Sequence, residues 1–129
     1  MAKNYTLTYS LNMTANSASG YAQSQTGGKT LNITGVDQVT TGRLDVEHDG
    51  DKQIMAATAA GRFIYVRNLD DTNFVKIYDG PSSEADLIGI LEPGHFLMTI
   101  IRGTGTTVAV ADTATVTIEY AAIEIDANA

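Results

Sequence analysis

The side chains with the greatest potential for chemistry are the acidic and amide groups between two strand-like segments, in FIYVRNLDDTNFVKIYDG (63–80). A calcium loop of the EF-hand type needs oxygen ligands at alternating positions and a glycine at its sixth position. Counted from Asp70, the sixth residue is Val75, so the pattern fails. We therefore interpret these polar residues as the tip of a β-hairpin, where their side chains cap local backbone groups. A loop calcium site that includes Asp79 or Asp86 is the alternative.

The chain has few residues that could support histidine or cysteine chemistry. There is no cysteine, and the two histidines, His48 and His95, stand far apart, each beside a turn. Zinc sites take three or more protein ligands, and the G-x-S-x-G signature of a serine nucleophile is absent. We interpret both histidines as surface turn residues and predict no metal ligand and no catalytic residue.

Two further motifs are weak. Gly28-Lys29-Thr30 matches the last three positions of a phosphate-binding P-loop, but Gln23 stands where the first glycine belongs, and the segment that follows is strand-like instead of helical. Carboxylate pairs such as Glu124/Asp126 occur in glycosidases, but the chain has no tryptophan and no aromatic run that would line a sugar cleft. We expect no cofactor and no enzyme activity.

Composition narrows the classes of partner. The 129 residues correspond to about one domain, 1–129. The net charge of −7 comes from 15 acidic and 8 basic residues, which disfavours binding to a phosphate backbone, so we expect no nucleic acid. No apolar run reaches the ~18 residues of a membrane helix, and the amino terminus lacks the apolar stretch of a signal peptide. We expect no membrane partner and synthesis in a cytoplasm.

The elements that must position these residues are strands. Residues 3–13 alternate strictly between apolar and polar side chains, which predicts a long, half-buried N-terminal strand. A Gly/Ser/Gln-rich segment, 16–29, is predicted to be a flexible loop, with a short strand around Tyr21 as the alternative. About nine short strands separated by turns, with negligible helix, predict an all-β chain: a single-domain antiparallel β-sandwich, jelly-roll-like in character.

Three local features of this pattern can be tested. Asp49-Gly50 predicts a two-residue hairpin turn that sets Glu47 opposite Lys52. Pro93-Gly94 predicts a type II turn. In the last strand, 113–125, the apolar phase slips by one residue, which predicts a β-bulge near Ala121-Ala122.

The two terminal strands carry few charges on their polar faces. Edge strands normally carry charges or proline, which prevent pairing with other chains, so lightly charged long strands suggest contact with a partner. The alternative is that both are central strands with one face in solvent. On the first interpretation we predict interface residues at Thr6, Thr8, Ser10, Asn12, Thr115 and Thr117.

The second half of the chain resembles small virion structural proteins of tailed bacteriophages. The resemblance is carried by RN-x-D-x-TNFV-x-I, L-x-PG-x-F and ADTA-x-V-x-IEY, between Arg67 and Tyr120. It implies a β-sandwich protein without catalytic residues that decorates or cements a capsid, or that sits in a tail, baseplate or fibre. The implied partners are further copies of the chain, as a homodimer or homotrimer, and a major capsid protein; the implied location is the virion, after synthesis in the bacterial host cytoplasm.

A carbohydrate-binding module is a further alternative. Such modules stack sugar rings on exposed aromatic side chains. Tyr65, Phe74 or Tyr78 would supply that platform from the outer face of a sheet.

Overall fold

The computed structural model describes residues 3–16, 22–36, 39–56, 61–80, 83–102 and 105–125. Ten strands and one turn of 3-10 helix, Glu84–Asp86, make up this part of the chain. The strands are β1 (Lys3–Asn16), β2 (Ala22–Val36), β3 (Val39–Val46), β4 (Lys52–Met55), β5 (Gly61–Asn68), β6 (Val75–Asp79), β7 (Leu87–Leu91), β8 (Phe96–Arg102), β9 (Thr107–Ala111) and β10 (Val116–Ile125).

The first two strands form a separate antiparallel ribbon. Its register runs from Lys3 opposite Val36 to Asn16 opposite Ala22. The predicted flexible loop over 16–29 is therefore wrong for residues 22–29, which belong to β2; residues 17–21 lie outside the described residues. Composition suggested a loop, but the long β1 provides a hydrogen-bonding partner along the whole segment, and pairing overrides a weak strand propensity.

The other eight strands form the predicted antiparallel sandwich. Sheet I has the order β3-β10-β5-β8 and sheet II the order β4-β9-β6-β7. The pairs β3/β10, β4/β9, β5/β8 and β6/β7 are nested along the chain, as in one long hairpin that has been rolled up. That arrangement is a jelly roll. The sandwich contains eight strands where we predicted about nine, and the terminal ribbon adds two outside it.

Two predicted hairpins are instead crossings between the sheets. The chain from β3 to β4 passes Asp49-Gly50, but β3 pairs with β10 and β4 with β9, so Glu47 does not face Lys52. The polar segment after Asn68 likewise leads from β5 in sheet I to β6 in sheet II. Both predictions rested on local pairing. The observed long-range pairs let consecutive strands bury their apolar faces against each other across the core.

The predicted bulge in the last strand is also wrong. The register of β10 against both neighbours is continuous from Ile118 to Ile123. The apparent slip arises because Ala122 and Ile123 are both buried, although they point to opposite faces. Ile123 lies on the outer face of sheet I, where β2 approaches β10.

The core lies between the sheets and consists of side chains that alternate with outward-facing ones along each strand. Sheet I contributes branched residues from β5 and β10, and sheet II contributes Val75 and Ile77 of β6 and small residues of β9. The fully or almost fully buried members include Val46, Ile64, Val66, Val75, Ile77, Ala109, Val116, Ile118 and Ala122.

Candidate interaction surface

The most unusual surface feature lies on β8, an edge strand of sheet I. Phe96, Met98 and Ile100 alternate onto its outer face and are 63%, 44% and 48% exposed. We call these three residues the β8 stripe. At about 200 Å² for a large side chain, they leave on the order of 300 Å² of apolar surface in contact with water. A patch of this size matches the largest apolar patches of ordinary monomers, which are often functional.

The neighbouring strand widens this surface. In the register of sheet I, Arg67, Tyr65 and Phe63 of β5 lie opposite Phe96, Met98 and Ile100. Tyr65 and Phe63 are partly exposed, and Arg67 is exposed at one end. An open depression lined by Tyr65, Arg67, Gly94 and Phe96 lies at that end.

The outer face becomes polar with distance from β8. Glu119 of β10 lies opposite Arg67 on one side and opposite Arg43 of β3 on the other. Thr117 Oγ1 donates a hydrogen bond to Asp45 Oδ1 (2.8 Å) across the β10/β3 pair. The apolar surface is therefore concentrated on the half of sheet I that carries the open edge.

A turn and one buried amide position the start of β8. The predicted type II turn is confirmed: Gly94 has φ +79°, and His95 N–H donates to Glu92 O (2.9 Å). Asn68 is fully buried, and its Nδ2 donates to Leu91 O and to Asn73 O, both at 2.9 Å. Its backbone bonds to His95 O and Gly94 N. Asn68 thus links the ends of β5, β7 and β8.

The acidic loop that follows Asn68 is structural. Asp70 Oδ2 accepts from the N–H groups of Thr72 (2.9 Å) and Asn73 (2.6 Å), and Asp70 N–H donates to Asn68 Oδ1 (2.8 Å). The hydrogen bonds from Asn73 and Thr72 lower the pKa of Asp70 below its ordinary value, because they stabilise the carboxylate. The predicted capping of backbone groups is confirmed for Asp70, whereas the side-chain oxygens of Asp71 and Asn73 accept from threonine hydroxyls. The loop joins two sheets and does not close a hairpin.

The opposite end of β5 carries a buried charge. Arg62 is fully buried, with Nε donating to Thr107 Oγ1 (2.6 Å) and Nη2 to Asp79 Oδ1. Thr107 and Asp79 belong to sheet II, so this ion pair joins the two sheets across the end of the core. The Asp79 side chain keeps 29% exposure.

The described residues bring none of the suggested chemical sites together. They contain no group of three histidine, aspartate or glutamate side chains placed to hold a metal ion. Asp79 pairs with Arg62, Asp86 accepts from Ser83 Oγ (2.9 Å), and both histidines are exposed. Gly28-Lys29-Thr30 lies within β2, not before a helix. Glu124 lies opposite Arg62 in register, and Asp126 is outside the described residues.

The predicted interface residues lie in two different settings. Thr6, Thr8, Ser10 and Asn12 lie on β1 opposite Asn32, Thr30, Gly28 and Thr26 of β2, and Thr8 is exposed. Within the described residues no strand pairs with the other edge of β1. The last strand, however, is central: β10 pairs with β3 and β5, so the expectation of an open edge there is wrong. Exposed Thr115 precedes it, and Thr117 bonds to Asp45. The interface role of all six stays a prediction.

Sequence reasoning missed the β8 stripe, although a signal was present. The run FLMTII has apolar side chains on both faces, a pattern typical of a strand that is covered on both sides. In the single chain only the inward side chains, such as Leu97 and Ile101, pack against the core. The outward side chains of this strand therefore form the candidate contact surface.

Only one of the three aromatic side chains suggested as a sugar platform lies on the candidate surface. Tyr78 is only 6% exposed. Phe74 directly precedes β6 of sheet II, and Lys76 Nζ lies 5.9 Å from the centre of its ring. Tyr65 alone lies on the candidate surface, beside Phe96.

Comparison with known proteins leaves the surface as the main guide to function. Across the described residues, the structure holds no helix with the length and hydropathy needed to cross a membrane. Neither a family model nor a curated protein matches this chain.

Proposed function

We propose that this chain is a non-enzymatic structural protein of a bacteriophage virion. It self-associates as a homodimer or homotrimer and binds the major capsid protein as a decoration or cement subunit. The observation that carries the proposal is the β8 stripe: an uncharged apolar surface on the outside of a rigid sheet, at an edge with no protecting charge. An apolar patch of this size is often functional, and its place at an open sheet edge favours contact with another protein.

The fold supports this proposal without selecting it. Jelly rolls occur in viral capsid domains and also in lectins and cupins. The described histidine and carboxylate side chains form no metal cluster, and the loop carboxylates, such as Asp70, cap backbone groups. The resemblance of residues 67–120 to phage virion proteins supplies the choice among these classes.

Particle composition tests the proposal. We expect mass spectrometry of purified phage particles to detect the chain, and purified chain to co-sediment with particles that lack it. The copy number decides between a shell and a tail: a decoration protein is present in hundreds of copies, and a tail, baseplate or fibre component in far fewer. A chain that is absent from particles and does not bind them contradicts the proposal.

A carbohydrate-binding role is the second candidate, favoured by one observation. Tyr65 and Phe96 flank an open depression that also contains Arg67. Aromatic faces beside a hydrogen-bond donor suit a sugar ring. Glycan-array binding that is lost in Tyr65→Ala and retained in Phe74→Ala would support this role, and a chain that binds no glycan would remove it.

A further inference from the structure

We propose that β8 pairs with β8 of a second copy across a two-fold axis. The two copies of sheet I then join into one continuous eight-stranded antiparallel sheet. The inference rests on the self-association in the proposed function. It assigns that self-association to the edge of β8, and not to either of the terminal strands that the sequence suggested.

The backbone of β8 is arranged for such pairing. Asn68 N–H donates to His95 O, so residue 95 belongs to a hydrogen-bonded pair with β5. Such pairs alternate along an antiparallel ladder. The N–H and C=O groups of the even-numbered residues, Phe96, Met98 and Ile100, therefore point to the open edge. Among the described residues no strand lies beyond that edge.

The other edge strands of the sandwich are either charged or shorter than β8. The edge strand β3 carries Arg43 and Asp45. In sheet II, β4 has four residues and β7 five, with Gly89 in its centre. Long uncharged edges are the ones that pair with other chains, and β8 is uncharged from Phe96 to Ile101.

The β8 stripe is complementary to itself. With the two-fold axis at Met98, Met98 lies opposite its own copy, and Phe96 lies opposite Ile100 of the second chain. All three outward side chains then gain an apolar neighbour on the same face, which is the pairing that stabilises sheets. A shift of the axis by one residue would place Gly94 or Arg102 opposite a member of the stripe.

Charge also favours a second copy at this edge. Two chains of net charge −7 repel each other over most of their surfaces. On the outer face, Arg67 lies opposite Phe96, and β8 itself has no acidic residue. In the proposed register, residue 102 of one copy lies opposite Gly94 of the other. The β8 edge therefore lets two acidic chains meet without opposing carboxylates.

Cysteine cross-linking tests the register, because the chain has no native cysteine. Residues opposite each other in a hydrogen-bonded pair have Cα atoms about 5.5 Å apart, within the range that a disulfide spans. We expect Met98→Cys to form a disulfide-linked dimer under mild oxidation, and a mixture of Phe96→Cys and Ile100→Cys chains to cross-link faster than either alone. Ile90→Cys, 47% exposed on sheet II, is the matched control. Equal rates for positions 98 and 90 would overturn the proposal.

Light scattering on the purified chain tests the surface. We expect a particle of twice the 13.7 kDa chain mass, or a higher multiple built from that dimer. Ile100→Lys should weaken the β8 contact by about tenfold or more, because it places an unpaired ammonium group among apolar side chains. Ile90→Lys has almost the same exposure (47% against 48%) and should leave it unchanged. Circular dichroism confirms that both variants fold.

The remaining outcomes are decisive as well. A wild-type monomer at high concentration, or equal effects of the two lysine variants, overturns the inference. Dissociation by Ile100→Lys without cross-linking at position 98 means that another element of a neighbouring copy covers the stripe, such as its β1/β2 ribbon, and this also overturns the inference. Cross-linking at position 98 in a chain that is absent from virions would support the inference and refute the proposed function.

Discussion

The ion pair between the two sheets makes a strong prediction about stability. Arg62 is fully buried, and its guanidinium bonds to Asp79 and Thr107 of the opposite sheet. Asp79→Ala removes the carboxylate that pairs with the guanidinium, while the guanidinium itself stays inside the protein. Removal of one partner of a buried pair costs about 3–5 kcal/mol. Because the Asp79 side chain is 29% exposed, water reaches that end, and we expect the lower part of that range.

The reverse substitution should cost less. Arg62→Met keeps a long apolar side chain in the same space, and the Asp79 carboxylate, which is already partly exposed, regains solvent. We expect a loss of about 1–2 kcal/mol, mainly from the unpaired Thr107 hydroxyl. The double variant Arg62→Met/Asp79→Ala should then be more stable than Asp79→Ala alone, because it no longer buries a guanidinium that has lost the Asp79 carboxylate.

Urea denaturation followed by circular dichroism measures these differences. With a denaturant dependence of about 2 kcal/mol per molar, a loss of 3 kcal/mol lowers the urea midpoint by about 1.5 M. Total stabilities of domains are about 5–15 kcal/mol, so the variants remain measurable. If Arg62→Met proves more destabilising than Asp79→Ala, the arginine acts mainly through packing and its bond to Thr107, and the charge-burial reasoning fails.

Three further predictions concern the residues that position β8. Asn68→Ala removes three hydrogen bonds of a buried side chain, one of them fully buried, and should cost about 3 kcal/mol in urea denaturation; a loss below half of that would show that the loop rearranges to satisfy the groups left behind. Gly94→Ala should cost about 1–2 kcal/mol at φ +79°, whereas Gly89→Ala, which has open space around it and no positive φ, should change little; equal effects would remove the turn argument. Asp70→Ala should lower the thermal midpoint at neutral pH. Folding lowers the pKa of Asp70, so its carboxylate contributes its full stabilisation at pH values above 3.8. That contribution declines as the pH falls through the lowered pKa of the folded protein. A difference that persists unchanged in calorimetry near pH 2 would contradict that linkage.

Several features of the fold follow from local chemistry and were predictable. Strict alternation along β1 predicted a strand, which the structure extends from residue 13 to Asn16. Pro93-Gly94 predicted a type II turn because proline presets one dihedral angle and glycine supplies the positive one. The acidic residues around Asp70 were predicted to cap backbone groups. Each of these depends only on residues within a few positions, so a single segment carries the whole signal.

Strand partners, sheet edges and the candidate surface did not follow from the amino-acid order. A period of two reports that a strand has two faces, but it does not report which strand lies beside it. The hairpin expected at Asp49-Gly50 satisfied every local rule, yet β3 and β4 found partners more than fifty residues away, in β10 and β9. The apolar run of β8 looked like the interior of a sheet for the same reason. Its position at an edge depends on how all the strands of the jelly roll pair. Because it lies at an edge, its outward apolar side chains are exposed.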